Sequence, residues 1–342
     1  MSKTNIAIDA MGGDNAPNSV IDGLAISFIR HPETHFIIYG DKSKIAPLMK
    51  NKKELIPVCT LIDVKNSIKD DEKASKTLRK MEPTSMSMAI ECVSSGKADA
   101  IVSGGNSGAL MALSIFGLKR ILGINRPAMA AVMPTKIGEV IALDLGANVE
   151  CSTQNLLEFA LLGVIFAQKV LGKPEPRLGL LNVGEEENKG KQIINEAANC
   201  ILNSQLAPFF KGYVEGNNIV LGDYDVVVCD GFSGNIMLKT AEGTADLCTY
   251  FMRQVLSSNL FGKLAYFFGR SSFSALRDKL DPRKHNGAVL LGLNGIVVKS
   301  HGGTDALGFA HAVDLAVDMA EGGYNSAISS EIEKLKLKEN NL

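Results

Sequence analysis

Short apolar runs alternate with longer segments of helical periodicity along almost the whole chain. The apolar, β-branched runs predict strands at Asn5–Ala10, His35–Gly40, Val58–Val64, Asp99–Ser103, Leu178–Val183, Asp225–Cys229 and Gly295–Lys299. Helical spacing predicts helices at Val20–Arg30, Ser85–Gly96, Ser107–Leu122, Gln154–Leu171, Gln192–Asn203, from about Ser233 onward, and at Asp305–Glu321. This alternation predicts an α/β fold in which helices cover both faces of a mostly parallel sheet.

One pair of predicted strands departs from the alternation. Ala128–Met133 and Val140–Asp144 are joined by Pro134–Glu139, a short segment that contains a glycine. Such a connection predicts an antiparallel hairpin, which we expect beside the main sheet. Neither an internal repeat nor a low-complexity linker divides the sequence, so we expect residues 1–342 to form a single domain.

Composition narrows the classes of function. Of the 342 residues, 46% are hydrophobic and 21% are charged, which is typical of a globular protein with a core. The net charge of −1 supplies no overall field for nucleic acid, so any anion site must be local. Six scattered cysteines without a C-x-x-C pair favour a reducing compartment over a disulfide framework. No segment has the pattern of a signal peptide or membrane span, so we expect a cytoplasmic protein.

Polar, glycine-rich corners follow four of the predicted strands. They lie at Asp9–Asn15, Ser103–Ala109, Asn182–Gly190 and Asp230–Asn235. In open parallel sheets, ligands bind outside the carboxyl ends of the strands. The second corner has the features of a phosphate site, because glycine lets backbone N–H groups approach an anion and the following helix offers its positive end. The alternative is a tight strand–helix turn with a serine cap.

Lys189 and Lys239 are the cations nearest to these corners. Glu185–Glu187 precedes Lys189 and either holds its ammonium or is a solvated acidic run. No Gly-Lys pair is followed by Ser or Thr, no G-x-G-x-x-G follows the first strand, and no G-x-S-x-G occurs. His285 and His301 lack metal-ligand spacing, so we expect no metal site.

Five segments together resemble the phosphate acyltransferases of phospholipid synthesis, the PlsX family. These segments are Ile8–Asp14, Val102–Ala109, Leu181–Glu186, Cys229–Asn235 and Lys299–Asp305. They occur in the family's order between residue 6 and about residue 320. The resemblance therefore spans nearly the whole chain.

The resemblance implies a dimeric three-layer α/β/α fold similar to isocitrate and isopropylmalate dehydrogenases. The reaction that it implies moves a fatty acyl group from acyl-carrier protein to inorganic phosphate, without an organic cofactor. The acyl phosphate would feed a membrane glycerol-3-phosphate acyltransferase in phosphatidic acid synthesis. Peripheral contact of a homodimer with the inner face of the cell membrane is therefore also expected.

The resemblance also implies the residues of the active cleft. Lys189 and Asn235 are the expected catalytic groups, as donors to phosphate and to the thioester carbonyl oxygen. The expected substrate-binding residues are Asp9, Gly104, Gly105, Asn106, Ser107, Gly108, Asn182, Asp230 and His301. We expect Gly105→Val to abolish phosphate use, because a branched side chain would occupy the anion's space or forbid a positive φ.

An aromatic segment lies outside these corners. Seven of the twenty aromatic residues fall within Tyr250–Phe273, and we expect a helical projection around 237–282. Its apolar residues either form a core between two subunits or contact a bilayer or the acyl chain. The residues expected to make the second kind of contact are Leu260, Phe261, Leu264, Phe267 and Phe268.

Two other functions fit parts of the sequence. A metal- and NAD-dependent decarboxylating dehydrogenase would share the fold, but it needs clustered carboxylates and arginines. The arginines of this chain are sparse and do not cluster at the corners. A non-catalytic membrane adaptor built around the aromatic segment would leave the polar corners without a purpose.

Overall fold

A sheet of eleven strands runs through the protein. The computed structural model describes residues 3–69, 71–72, 82–187, 189–273, 281, 283 and 286–339, and it describes side chains as far as residue 332. The strands are β1 (Asn5–Asp9), β2 (His35–Gly40), β3 (Cys59–Asp63), β4 (Ala100–Ser103), β5 (Ala128–Pro134), β6 (Glu139–Leu143), β7 (Leu178–Leu181), β8 (Phe210–Val214), β9 (Val226–Val228), β10 (Ala288–Leu291) and β11 (Ile296–Lys299).

Helices cover both faces of this sheet. They are α1 (Asn18–Arg30), α2 (Lys42–Lys50), α3 (Ser85–Ser94), α4 (Ser107–Leu118), α5 (Thr153–Lys169), α6 (Gln192–Leu202), α7 (Gly231–Ser257), α8 (Leu260–Phe268), α9 (Ala306–Glu321) and α10 (Tyr324–Glu339). The predicted α/β class with a mostly parallel sheet is confirmed. The sequence pattern missed two strands, which are β8, at an edge of the sheet, and β10, next to β11.

The sheet reverses direction near its centre. Its strand order is β3-β2-β1-β4-β11-β10-β5-β6-β9-β7-β8, and the antiparallel pairs are β11–β10, β10–β5 and β5–β6. The carboxyl ends of β1, β4 and β11 therefore lie at one edge of the sheet, which we call the first edge. The carboxyl ends of β6, β7 and β9 lie at the opposite, second edge.

The predicted hairpin of β5 and β6 is confirmed, but its predicted place beside the sheet is wrong. Met133 pairs with Val140 across the turn, as the short connection requires. On its two outer sides, β10 pairs with β5 and β9 pairs with β6, so the hairpin occupies the middle of the sheet. The connection length indicates local pairing alone, whereas the outer partners come from distant parts of the chain.

Alternating strand residues enter different layers of the core. Ile8 and Val102 point toward the layer that contains α1 and α9, while Ala7 and Ile101 point toward α3 and α4. Because the side-chain period of a strand is two, a slip by one residue would exchange these faces. Burial on both sides explains why the central strands are apolar at successive positions.

Helices α7 and α8 form a helical hairpin. The 27 residues of α7 span about 40 Å, and within it only Gly231 and Gly234 are buried. No residue of α8 is buried, and Phe261 and Phe268 are 82% and 81% exposed. Residues 274–280 and 282 of the predicted projection lie outside the described residues. Across the described parts of the chain, no helix is both long and apolar enough to span a bilayer.

A buried ion pair joins the beginnings of β7 and β9. Asp225 is 4% exposed, and its carboxylate accepts hydrogen bonds from Arg177 Nε at 2.9 Å and Nη2 at 3.1 Å. Burial is the largest influence and favours the neutral acid, but the hydrogen bonds and charge of Arg177, together with the charge of Lys173, hold the pKa of Asp225 below its ordinary value of 3.8. The charged pair therefore ties two neighbouring strands together.

We predict that Asp225→Asn destabilises the protein at neutral pH by about 2 kcal/mol, less than the loss typical of fully buried pairs because Arg177 is partly exposed. A lowered folded pKa gives stability that is present above the unfolded value and is lost as pH falls through the folded value. The difference between variant and wild type should therefore shrink below about pH 4. Urea unfolding at pH 7 and pH 3.5 measures this difference in the free energy of unfolding. An equal difference at the two pH values would contradict the lowered pKa of Asp225.

Candidate active site

A cleft of about 660 Å³ crosses the face of the sheet between its two edges. Its floor contains Ala131 and Ala288, whose small side chains leave space over the central strands. The residues that line the cleft at the first edge are Ser107, Lys299, His301 and Gly302–Thr304. Those that line it at the second edge are Gly146, Gly231 and Asn235. The reversal of strand direction thus brings corners from opposite edges to one cavity.

The corners at the first edge interlock through their backbones. The N–H of Asp14 donates to the carbonyl of Gly302 at 2.9 Å, which joins the first corner to the loop after β11. A Cβ at Gly12 would lie 2.5 Å from the backbone nitrogen of Gly105, so the first and second corners touch where neither has a side chain. These glycines allow three loops to meet at one end of the cleft.

The second corner uses several of its polar groups to hold its own fold. The N–H of Gly105 donates to Ser103 Oγ at 3.1 Å, and Asn106 Oδ1 accepts from the N–H of Ala109 at 2.9 Å as the cap of α4. Both groups were expected to face an anion. Ser107 and Gly108 are exposed in the first turn of α4, so their donor groups can still face an anion.

The expected reason for the sensitivity of Gly105 to substitution needs correction. Its φ is not positive, and its Cα faces the protein: an added Cβ would lie 2.8 Å from Met86 Cε and 3.3 Å from Gly12 Cα. Gly104 is packed just as tightly against the first corner, since its added Cβ would lie 2.8 Å from the carbonyl oxygen of Gly12. A valine at Gly105 would therefore disturb packing between corners before it met any anion.

Asp9 lies beneath the corners and supports them. Its carboxylate accepts hydrogen bonds from Ser103 Oγ at 2.7 Å and from the N–H of Met11 at 3.3 Å. Burial raises the pKa of Asp9, and the hydrogen bonds and the nearby Lys299 ammonium offset this rise only in part. The residue is 1% exposed, so it acts on the cleft through its neighbours.

Lys299 is a buried cation at the first-edge end of the cleft. It is 9% exposed, and its Nζ donates to the carbonyl of Gly104 at 3.2 Å and to the carbonyl of Ser300. Lys299 belongs to the fifth segment of the resemblance but is not among the site residues expected from the sequence. A lysine that ends a buried strand, where charge is costly, was the available signal.

His301 lies beside Lys299 on the loop before α9. Its Nδ1 accepts a hydrogen bond from the N–H of Gly303 at 3.2 Å, so the neutral ring carries its proton on Nε2. Asn286 holds the same loop, because its Oδ1 accepts from the N–H of His301 and its Nδ2 donates to Ser300 Oγ. The ring of His301 is therefore presented to the cleft as a hydrogen-bond donor.

At the second edge, α7 begins against the loop that follows β6. Asp144 collects four hydrogen bonds, from the N–H groups of Met129, Ala147 and Asn148 and from Asn148 Nδ2, at 2.7 to 3.0 Å. Burial raises the pKa of Asp144 against these hydrogen bonds, which lower it. The arrangement fixes the loop on which α7 rests.

Asn235 lies in the first turns of α7. A Cβ added at Gly146, where φ is +120°, would lie 3.4 Å from Asn235 Cβ, so the side chain is packed against this loop. Asp230 caps the helix by accepting from the N–H of Ser233 at 2.7 Å. Burial alone would raise the pKa of Asp230, but the bonds from Ser233 and the Lys191 ammonium hold it below its ordinary value.

The third corner does not reach the cleft. Asn182 is buried and donates through Nδ2 to the carbonyls of Gly184 and Lys189, both at 3.1 Å. Lys189 is about half exposed, and its ammonium pairs with Glu186 at 2.8 Å. Of the two interpretations of the acidic run, the structure thus shows an ion pair. The catalytic role of Lys189 remains a prediction.

The cleft also has an apolar wall and further charges. Met129, Leu145 and Val149 line it on one side, and Phe232 and Leu238 on α7 line it on the other. Lys239 also faces the cleft, with its ammonium 2.7 Å from Glu242. In the ranges that the structure describes, no three His, Cys, Asp or Glu side chains form a group suited to a metal ion.

We predict that Gly12→Ala lowers the free energy of unfolding by about 1–3 kcal/mol, because its Cβ would force apart two backbones that touch. Gly138→Ala is the matched control, since its Cβ would meet nothing within 4 Å. Urea unfolding monitored by circular dichroism gives both values. Equal stability of the two variants would show that the corners are not tightly packed.

Comparison with known proteins places the chain in a family. The model of the family described as "Fatty acid synthesis protein" matches residues 4–327. The phosphate acyltransferase of Granulibacter bethesdensis is 50% identical over 330 residues, covering 96% of this chain and 89% of that protein. The phosphate acyltransferase of Paramagnetospirillum magneticum is 48% identical, covering 97% of this chain and 94% of that protein.

Solved structures share the fold at low sequence identity. A phosphotransacetylase from Streptococcus pyogenes superimposes with a TM-score of 0.62 at 16% identity, covering 93% of this chain and 94% of that one. A 4-hydroxythreonine-4-phosphate dehydrogenase from Klebsiella pneumoniae gives 0.52 at 17% identity, covering 94% and 98%. The match to the family model and the close relatives confirm the resemblance that five segments indicated: the chain belongs to the fatty acid synthesis protein family, among the phosphate acyltransferases known as PlsX.

Proposed function

We propose that the protein transfers a fatty acyl group from the thioester of acyl-carrier protein to inorganic phosphate. The observation that carries the proposal is the composition of the cleft between the two edges of the sheet. A buried ammonium and a histidine donor lie at one end, an amide lies at the other, and apolar side chains line the wall between them. An anion and an acyl chain can therefore be held in one cavity.

The chemistry needs no side-chain nucleophile. An oxygen of hydrogen phosphate forms a bond to the thioester carbonyl carbon, and the carbon–sulfur bond breaks. The proton of hydrogen phosphate ends on the carrier thiol, so the products are acyl phosphate and free carrier. The protein holds the two reactants together and stabilises the charge that develops on the carbonyl oxygen.

The first-edge end of the cleft is the proposed phosphate site. Lys299 supplies the charge, and its burial excludes the water that would weaken the attraction. His301 Nε2 and Ser107 Oγ supply hydrogen-bond donors from two neighbouring loops. The first turn of α4 adds its positive end to the same site.

Asn235 is the proposed donor to the carbonyl oxygen of the thioester. Its side chain lines the cleft beside Gly146, so the amide already lies at the cleft before the substrate arrives. Asp230 and Asp144 act through the start of α7 and the loop beneath it. They position Asn235 and need not touch the substrate.

The same proposal includes a downstream membrane enzyme and a place for the exposed surface of α8. Acyl phosphate is the substrate of a membrane glycerol-3-phosphate acyltransferase in phosphatidic acid synthesis, which makes a cytoplasmic enzyme with peripheral membrane contact reasonable. Leu260, Phe261, Leu264, Phe267 and Phe268 are exposed on α8 and supply apolar surface for a bilayer or a second subunit of a homodimer. The close relatives do not favour a decarboxylating dehydrogenase or a membrane adaptor.

A thiol-release assay tests the proposed reaction. Wild-type protein with fatty acyl-carrier protein should free the carrier thiol only when phosphate is present. Asn235→Ala should slow this release by about 10²-fold, as expected for loss of one oxyanion donor. The absence of phosphate-dependent release by wild-type protein would refute the function, and a change in phosphate affinity alone would make Asn235 a binding residue.

Two substitutions distinguish between Lys299 and Lys189 as the cation that binds phosphate. Lys299→Met removes the ammonium and keeps most of the volume. We expect the KM for phosphate to rise about 10–100-fold, because a hydrogen bond to a charged group contributes about 1.5–3 kcal/mol. Lys189→Ala should have a smaller effect, because Glu186 already neutralises its exposed ammonium. The experiment varies phosphate at saturating acyl carrier, with melting curves as the folding control; a larger loss in Lys189→Ala would place the phosphate at the third corner.

A further inference from the structure

A second cavity lies at the carboxyl ends of β7 and β9. Its volume is about 770 Å³, and it opens between the beginnings of α5 and α6. Apolar side chains supply much of its lining, including Leu156, Leu180, Ile193 and Ile194. The carboxyl ends of neighbouring parallel strands are where open α/β sheets bind ligands. The proposed active cleft lies over β5 and β10, so the carboxyl ends of β7 and β9 are free to hold a different part of a ligand.

The second cavity is a neighbour of the proposed active cleft, and Val149 lines both spaces. The first turn of α7 separates them, because Ser233 faces the second cavity while Asn235 faces the cleft. A long, thin ligand that entered the second cavity would therefore end beside the proposed carbonyl-oxygen donor.

Asn182 lines this cavity, and its side chain contains a buried hydrogen-bond acceptor without a partner, next to Gly190. The residue is 7% exposed, and its Nδ2 donates to two backbone carbonyls, which identifies Oδ1 as the acceptor. Within the described residues, Oδ1 has no hydrogen-bond partner. A buried acceptor without a partner is costly, and a ligand N–H or O–H would remove that cost.

Charged groups of both signs lie at the mouth of the cavity. Lys191 lines it, and its largely exposed ammonium pairs with Asp230 at 3.2 Å; Asp230 and Glu150 also line the cavity. Helix α6 begins at the next residue, and no side chain caps its N-terminus in the described part of the chain. An ammonium beside an uncapped helix N-terminus favours a phosphate group.

We infer that the second cavity binds the 4′-phosphopantetheine arm of the acyl carrier. The inference rests on the proposed function, because a carrier protein presents its acyl group on such an arm. The phosphate of the arm lies at Lys191 and the start of α6, an amide N–H donates to Asn182 Oδ1, and the alkyl parts contact the apolar lining. The thioester end passes Val149 and reaches Asn235.

The charged end is tested with free 4′-phosphopantetheine and with pantetheine, which lacks the phosphate. Both should inhibit the formation of acyl phosphate competitively against acyl carrier, and wild-type protein should bind 4′-phosphopantetheine at least about tenfold more tightly. Lys191→Gln should reduce this ratio toward one while the inhibition constant of pantetheine stays unchanged. Lys50→Gln on α2 is the control for loss of a surface lysine. Equal binding of the two compounds by wild-type protein, or an unchanged ratio in Lys191→Gln, would overturn the inference.

The apolar end is tested by filling the cavity. Ile193 is 40% exposed, so Ile193→Trp can fold while its ring occupies the cavity mouth. We expect the KM for acyl carrier to rise at least about tenfold, with the KM for phosphate unchanged. Ile29→Trp on α1, at a site 80% exposed, is the matched control.

Different results would overturn the arm site and the proposed reaction. A folded Ile193→Trp variant with the wild-type KM for acyl carrier would overturn the arm site while wild-type thiol release upheld the function. Loss of phosphate-dependent release in the wild type itself would overturn both.

Discussion

The antiparallel pairing of β5 with β10 and β6 is the constraint on which the rest of the structure depends. It reverses the sheet at its centre and divides the polar corners between two edges. A ligand site that joins both groups must therefore cross the face of the sheet. Ala131 and Ala288 make this possible, because larger side chains on the same strands would fill the cleft.

Burial strengthens the electrostatic interactions of the polar groups around the cleft. Lys299 and Asp9 are nearly inaccessible to water, and their hydrogen bonds to neighbouring loops are already made. Asp144 holds the opposite loop with four hydrogen bonds. Since leaving such groups unpaired would cost free energy, the loops have few alternative conformations. The donors of the cleft are thus positioned before substrate binds, which is the condition for electrostatic stabilisation of a transition state.

Helix α7 couples several parts of the protein. Its first turn carries Asn235 and separates the two cavities, its middle lines the cleft through Leu238 and Lys239, and its far end projects with α8. One helix therefore contains both a residue of the cleft and the beginning of the exposed aromatic region.

The sequence by itself determined the α/β class, the β5–β6 hairpin and the family. Each depends on local patterns: strand and helix periodicity, a short connection, and five segments in order. It also indicated Asn235, Ser107 and His301, which the structure brings to one cleft. The tertiary structure alone decided that Lys189 lies away from that cleft, that Gly105 faces Gly12, and that Lys299 is buried beside His301. The physical reason is that strand order and direction depend on pairing between distant segments, which local periodicity does not encode, and these pairings decide which corners meet.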